Sequence, residues 1–444
     1  MDSINAVFYC VVRDTGNTEG CIVVSPDGEK LLQKTGVNNI NVRYVPSEEV
    51  LLKHVVRLVR DTDPDILAGY EIQLESWGYL FQRAFTLDYN LCPVISRVPD
   101  SVRESKMASE DETENPGAQY NADHTSEISL VGRVVFNSWR ILRSELALYS
   151  YTLPNVAMKV LGKRIAALHH QSLTAWWAKH TTRYKTVDYM RQRLSVHLEI
   201  LSRLDLVSRT AELARLFGIQ LFEVISRGSQ FRVESSMLRL AKPRNYVPVS
   251  PDRQQLAAQA APEYLALLLE PESRMYTDPV IVLDFQSLYP SIIIGYNYCY
   301  STCLGRVPNL VEPGVYTFGC TQLRVSAGRL AALRDHITIS PGGVVFLKPS
   351  VRRGVLPTML EDILNTRIMV KQSMKKHAKD PDLQKILHSR QLGLKLIANV
   401  TYGYTSANFS GRMPCIEVGD SVVAKGREAL ENTIKTIEAR EGNL

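Results

Sequence analysis

Asp284 lies near the end of the apolar run VIVLDF, and Ser287, Leu288 and Tyr289 stand three to five residues beyond it. A carboxylate delivered at a strand end can bind a divalent ion, because magnesium takes oxygen ligands and keeps company with carboxylates and phosphates. Backbone N–H groups in the turn behind it can point at an anion. Further along, Arg367 and Lys371 stand at i, i+4, and Lys395, Asn399 and Tyr402 at i, i+4, i+7. Each set therefore shares one helix face, a spacing that a merely cationic tract does not need. Taken singly, these residues also have ordinary readings. An Asp at a strand end is commonly a turn or cap residue, and a cationic helix face is commonly just solvated.

A strand and two helices must hold these groups. Val280–Phe285 reads as a central strand that Pro290 stops, and Val344–Lys348 as another. Beyond Gly354, Pro357 fits the first turn of a helix reaching about Lys379, where Asp380-Pro381-Asp382 breaks it. A second helix runs from Leu383 to about Tyr402 and ends at Gly403. So short a turn makes the two an antiparallel hairpin. From Arg352 to Lys395 ten Lys or Arg face Glu361, Asp362, Asp380 and Asp382, so 10 − 4 gives +6, equal to the formal charge of the whole chain. Concentrated positive charge on a balanced protein is the footprint of a polyanionic partner, although a solvated face carries the same charge.

Upstream, Ile4–Arg13 and Gly20–Ser25 read as neighbouring strands, and Ser47 precedes Glu48 and Glu49 at the start of an amphipathic helix to Arg60. Strands followed by such a helix point to an α/β layer. A long helical region spans Val187–Phe217 and stops at Gly218. The stretch 100–127 holds eight acids against Arg103 and Lys106, net −6, and reads as an exposed, mobile insertion. Val422–Ile437 is a further helical pattern with Asp420 or Ser421 as its N-cap.

With 444 residues, 45% hydrophobic and 22% charged, the chain has room for about three domains and excludes collagen, coiled coil and wholesale disorder. No window approaches about 18 consecutive apolar residues, and Met1-Asp2-Ser3 does not open a secretory leader. The expectation is an intracellular chain with no membrane partner. Seven cysteines without a CxxC pair argue against a disulfide framework or a complete zinc site, and Cys299 and Cys303, at helical spacing, read as buried thiols. Asp61, Asp63 and Asp65 lack the Gly and Glu of a calcium loop and read as a helix-to-strand connection.

LDFQSLYPSI (283–292) together with KLIANVTYG (395–403) resembles the first two polymerase motifs of family B DNA polymerases. RGSQFRVESSMLRLAKP, YNYCYSTCLG, LKPSVRRGVLPTMLEDIL and TSANFSGRMPCIEVGDS resemble an error-tolerant branch of that family. The similarity covers nearly all of the chain after about residue 50. It implies a multidomain fold of α/β and α+β type. A ribonuclease-H-like, 3′–5′ exonuclease-type domain would span 1–225, the first part of a palm 226–350, a helical-hairpin fingers insertion 351–409 and a return to the palm 410–444.

The same resemblance implies a nuclear, DNA-directed DNA polymerase of translesion synthesis and repair, adding dNTPs to a primer 3′-hydroxyl by two-metal phosphoryl transfer. Asp284 and the backbone carbonyl of Phe285 would hold Mg²⁺. Ser287, Leu288 and Tyr289 would receive the β- and γ-phosphates, the Tyr289 ring also colliding with a 2′-hydroxyl. Arg367, Lys371, Lys395 and Asn399 would grip the triphosphate, and Tyr402 and Gly403 would pack against the nascent base pair. Implied partners are primer–template DNA, a HORMA-domain accessory subunit and small polymerase subunits. The family's C-terminal tail, which carries an iron–sulfur cluster, is not among these residues.

Departures from the family pattern matter as much. The palm's second carboxylate sits in a Tyr-Gly-Asp-Thr-Asp-Ser hairpin, and no such segment occurs up to Leu444. One carboxylate leaves a two-ion site incomplete, so the expectation is a chain inactive alone, or a short form that binds nucleotide and DNA without turnover. Asp63–Arg83 resembles the second exonuclease motif, with Ser76 where a carboxylate belongs, and Arg193 stands where the third motif needs an Asp. A hydroxyl and a guanidinium cannot replace carboxylates around paired metals, so proofreading is expected to be absent.

Overall fold

Runs of β-branched and aromatic residues set the first strands. β1 (Ala6–Arg13) pairs antiparallel with β2 (Gly16–Val24), and β2 pairs parallel with β3 (Asn41–Val45). Ser47 caps α1 (Glu48–Thr62) by accepting from the Val50 N–H at 3.4 Å, and Leu51, Leu52, Val55, Val56 and Val59 form its buried stripe. β4 (Ile66–Gly69) and β5 (Val134–Asn137) form a second, parallel pair. Asp63 ends α1 in the left-handed region, φ 41°, and accepts from Arg97 at 3.0 Å and Arg133 at 2.8 Å, while Arg97 also reaches Asp65 at 2.8 Å. The acidic triplet is thus the connection expected of it.

The computed structural model describes residues 2–27, 40–73, 75–98, 128, 130–249, 252–257, 261–307, 314–318, 321–325, 334–406 and 413–441. The acidic stretch 100–127 lies outside the described residues. The chain divides into one unit of residues 1–210 with 221–226 and another of 211–220 with 227–444. Among the described residues no helix is long and apolar enough to cross a membrane.

In the first unit the strands are followed by α2 (Trp77–Thr86), α3 (Leu91–Ile95), α4 (Ser138–Glu145), α5 (Leu153–Leu161), α6 (His170–Ala178) and α7 (Arg183–Arg203). The division between units falls within α8 (Leu206–Phe217), and α9 (Leu221–Ser226) returns to the first unit. The single helical region expected over 187–217 is broken, because Asp205 adopts φ 48° between α7 and α8. Gly218, φ 63°, ends α8 as its position predicts.

The second unit contains α10 (Ser229–Ala241), α11 (Arg253–Ala257), α12 (Leu288–Tyr296), β6 (Cys303–Arg306), β7 (Gly314–Phe318), β8 (Thr321–Val325), β9 (Ile337–Ile339) and β10 (Val344–Leu347). Three long helices complete it: α13 (Val355–Lys376), α14 (Pro381–Ser406) and α15 (Ile416–Glu441). β10 lies between β6 and β9, antiparallel to both, and β7 and β8 form a hairpin. Val233, Ile293, Tyr298, Phe346, Leu356, Ile397 and Val422 share one buried core. Buried Asn297 sets the entry to α13: its amide donates to the Leu347 and Arg352 carbonyls at 2.7 and 2.8 Å, and its oxygen accepts from the Gly354 N–H at 2.9 Å.

Four expectations are corrected. Val280–Phe285 forms no strand: Val280, Ile281, Val282 and Leu283 are 67%, 83%, 86% and 68% exposed. A strand exists through its ladder partner, and no described strand pairs with this run. α14 continues through Gly403 to Ser406, because Thr401, Tyr404 and Thr405 are buried and draw the last turn into the core. Asp420 and Ser421 lie inside α15 rather than capping it. The Asp420 carboxylate is buried and accepts from the backbone N–H groups of Glu263 at 3.1 Å and Tyr264 at 3.5 Å, and burial raises its pKa. Finally, Cys299 follows α12 and Cys303 opens β6, so the two buried thiols do not share a helix face.

Candidate functional site

Ser287 caps α12 in the left-handed region, φ 53° and ψ 52°, with its hydroxyl making no capping bond. The first N–H groups of a helix have no partner within it, so the amides at Leu288 and Tyr289 open α12 as an anion-facing end. The Tyr289 ring packs on Tyr402 of α14, centroids 4.5 Å apart and planes tilted by 49°. Burial, and then the Tyr402 hydroxyl, push the Tyr289 phenol up. From α15, Gly426 permits this approach: a Cβ there would stand 2.9 Å from the Tyr289 ring.

α13 and α14 form the hairpin that their spacing implies. Gln384 closes the turn by donating to the Met374 and His377 carbonyls at 2.7 and 2.9 Å, and Asp380 accepts from the Leu383 N–H at 3.1 Å. Arg367 reaches across to the Gln391 amide oxygen at 3.4 Å. The patch's cations then sort into two groups. Arg353 pairs with Glu361, Lys385 with Asp382 at 3.4 Å, and Arg390 with Glu212 at 2.6 Å. Lys371, Lys375, Lys376, Lys379 and Lys395 are exposed and have no carboxylate partner among the described residues, and Asn399, one turn beyond Lys395, is exposed as well. Gly403 is half-buried, and a Cβ on it would meet nothing within 4 Å.

Asp284 is exposed and Phe285 is 40% exposed, both in irregular backbone just before α12. The structure thus joins Tyr289 to Tyr402 and packs the Arg367–Lys371 helix on the Lys395–Asn399 helix. It does not seat Asp284 on a buried strand. Among the described residues no group of three His, Cys, Asp or Glu could hold a metal ion.

In the first unit, Ser76 and Arg193 both border the end of β4. Ser76 has φ 52°, and its Oγ lies 2.9 Å from where a Cβ on Gly69 would be. Arg193 donates to the Tyr189 hydroxyl at 3.3 Å, and its charge is felt by Tyr70, the residue after β4. Beside it, buried His197 shares a 2.7 Å hydrogen bond with the Ser138 hydroxyl and meets the Tyr70 ring edge-on at 5.8 Å. Burial, and secondarily Arg193, push the His197 imidazole down to about 4. Tyr70 donates to the Tyr151 carbonyl at 2.8 Å. Hydroxyls, a neutral imidazole and a guanidinium occupy this place, and the buried Asn137 amide nitrogen at the end of β5 has no hydrogen-bond partner among the described residues. The roles of His197, Ser138 and Gly426 were not marked by any motif, since single residues of these types carry no periodic signal.

Two family models match the chain: "DNA polymerase family B" over residues 219–444, and "DNA polymerase family B, exonuclease domain" over residues 13–156. The chain is 51% identical to the DNA polymerase zeta catalytic subunit of Mus musculus, covering 98% of this chain and 14% of that protein. Identity to the Drosophila melanogaster zeta catalytic subunit is 54%, over 99% of this chain and 21% of the relative. For the Saccharomyces cerevisiae zeta catalytic subunit the figures are 40%, 99% and 30%. The chain therefore spans less than a third of each of these relatives.

Proposed function

Because the chain belongs to DNA polymerase family B, we propose that it supplies the exonuclease-like domain and the first part of the polymerase domain of a zeta-type DNA-directed DNA polymerase. Such an enzyme adds deoxynucleotides to a primer 3′-hydroxyl and extends damaged or mismatched ends in the nucleus. One observation carries the reading: Lys371 and Lys395, exposed and without carboxylate partners among the described residues, sit on two helices that pack against each other. Unpaired cations on a rigid scaffold suit a polyphosphate.

In this reading 1–225 is the exonuclease-like domain, 226–350 the palm, 351–409 the fingers and 410–444 the return. Arg367, Lys371, Lys395 and Asn399 grip the triphosphate, and the start of α12 receives its terminal phosphates. Tyr289, braced by Tyr402, stands under the sugar and rejects a 2′-hydroxyl, the one group that separates the two sugars. Tyr402 and Gly403 lie along the nascent base pair. With Ser76 and Arg193 in place of acids, no terminal mismatch is excised. Primer–template DNA, a HORMA-domain subunit and small polymerase subunits are the partners, and an iron–sulfur cluster belongs to the tail of the full-length enzyme.

Asp284 and the Phe285 carbonyl would hold a divalent ion such as Mg²⁺, which when bound draws charge off the reacting phosphate. These two groups alone do not fit a two-ion centre, since no acidic cluster stands beside them among the described residues. Residues 1–444 by themselves are therefore expected to bind nucleotide and DNA without turnover. A primer-extension assay with Mg²⁺ checks this, and robust incorporation would overturn it. In the full-length enzyme Asp284→Ala abolishes extension with folding kept, and unchanged extension removes its role as ligand.

A further inference from the structure

The densest charge of the chain lies outside the site described. Between Lys159 and Arg193 there are eight Lys or Arg and three His against the single acid Asp188, so 8 − 1 gives +7 with His neutral, against +6 for the whole protein. The segment comprises the end of α5, all of α6 and the first half of α7, and α5 and α6 both pack on α7. Within it Lys163 is neutralised by Glu199 at 2.5 Å and Arg191 by Glu19 at 3.0 Å, along an open groove of about 570 Å³ that Arg164 also lines. Lys159, Arg164, Lys179 and Lys185 are exposed, with no carboxylate partner among the described residues. An excess of like charge on one set of packed helices raises the local positive potential.

Two tryptophans lie among these cations. Trp177 packs partly against Cys21, Val23 and Val187, which anchors α6 on the sheet. The Arg183 guanidinium lies 5.6 Å from its ring centre and donates to the Trp177 carbonyl at 2.9 Å. Trp176 is half-buried, with the Lys185 ammonium 5.5 Å from its ring centre. No side chain of α6 is fully buried. Cations interleaved with aromatic rings are the chemistry of single-strand recognition: phosphates meet the ammonium groups, while unpaired bases stack on rings and guanidinium planes. A duplex keeps its bases paired and stacked, so none is free to lie on a ring.

We propose that the α5–α7 face of the first unit binds a single strand of nucleic acid, with Lys159, Arg164, Lys179 and Lys185 on its phosphates and Trp176 beneath a base. The polymerase reading enters only in choosing nucleic acid among polyanions. The test uses the 444-residue chain and a fluorescein-labelled oligothymidylate followed by anisotropy from 50 to 300 mM NaCl (roughly the range over which phosphate contacts are lost), without triphosphate or primer. Replacing the four cations by Gln should weaken binding at least tenfold at the lowest salt. It should also flatten the slope of log affinity against log salt by about 2–3, near 0.7 per lost contact. Trp176→Ala should cost roughly tenfold and leave the slope unchanged.

Unaltered affinity and slope would overturn the proposal, as would equal, equally sensitive binding of polyglutamate. A duplex of the same length bound as tightly would refute the single-strand assignment. Should the fourfold variant not fold, acetylation of the unsubstituted protein decides: saturating oligonucleotide protects Lys159, Lys179 and Lys185, or the proposal fails. None of the four residues belongs to the α13–α14 hairpin, so failure here leaves the polymerase reading standing, and failed nucleotide binding leaves this one standing.

Discussion

The end of β4 in the first unit and the α13–α14 hairpin in the second, the two places the proposed function reads as a lost and a kept site, are finished differently. Around His197 three polar pairs are closed, the imidazole with Ser138, Tyr70 with the Tyr151 carbonyl and Arg193 with Tyr189, while the buried Asn137 amide nitrogen has no partner among the described residues. On the hairpin, Lys371, Lys395 and Asn399 are exposed, the two lysines without carboxylate partners among the described residues. A buried polar group left unmatched costs about 1–3 kcal/mol, which favours the pairing of buried groups such as His197 and Ser138. The hairpin's exposed charges stay open to water, where leaving them unpaired costs little.

The sharpest way to break this contrast is to remove the open charges. Lys371→Ala with Lys395→Ala should cost about 3–6 kcal/mol of triphosphate binding in the closed complex, at about 1.5–3 kcal/mol per charge-assisted contact. That is two or more powers of ten in a dNTP titration. The urea midpoint should not move, because neither side chain is buried. A loss of stability without a loss of affinity would make the hairpin structural and erase the contrast.

The closed site should answer to acid instead. His197 takes its proton only near pH 4 in the folded protein, against 6.5 for an ordinary imidazole. Unfolded chains therefore protonate first, and stability falls as the pH drops from about 6.5 toward 4, by up to about 3 kcal/mol. Above 6.5 this contribution is constant. His197→Gln should remove that part of the dependence, so urea midpoints at pH 7 and pH 5 lie closer together in the variant. A gap identical to that of the unsubstituted chain would count against it.

Two smaller substitutions refine the picture. Gly426→Ala pushes a methyl into the Tyr289 ring and should destabilise the second unit by about 2 kcal/mol, with a red or blue shift in tyrosine absorption reporting the displaced ring. Unchanged stability would mean that Tyr289 has room to retreat and is a poor wall for a sugar. Asp420→Asn keeps one acceptor oxygen for the Glu263 and Tyr264 amides and should cost about 1 kcal/mol. Helix content by circular dichroism should stay the same; a marked drop would restore the N-cap role that the geometry has removed.

Local signals in the sequence were the legible ones. Ser47 before a stripe of Leu and Val, Gly218 behind α8 and Pro357 in the first turn of α13 are decided within a few residues, and each element follows its signal. The i, i+4 spacing of Arg367 and Lys371 needed nothing but a helix. What failed depended on distant partners. Val280–Phe285 has the residues of a strand but no described neighbour to pair with. Gly403 is a helix stop by type and a helix interior by burial of the residues beside it. Asp420 looks like a cap until Glu263 and Tyr264, far away in sequence, arrive to use its oxygens. The Lys159–Arg193 segment escaped because its cations are scattered over α5, α7 and the connections on either side of α6, without a common period.

One consequence of the bare run before α12 concerns how the protein behaves in the tube. Val280–Leu283 is short, uncharged, rich in β-branched side chains and open to water, the profile of a segment that seeds aggregation. Asp278 and Pro279 precede it and Asp284 follows it, as gatekeepers flank hydrophobic segments elsewhere. Removing the Asp284 charge would therefore favour self-association, apart from any effect on activity. Any Asp284 variant needs its sedimentation profile beside its activity, and a soluble but silent variant is the only informative one.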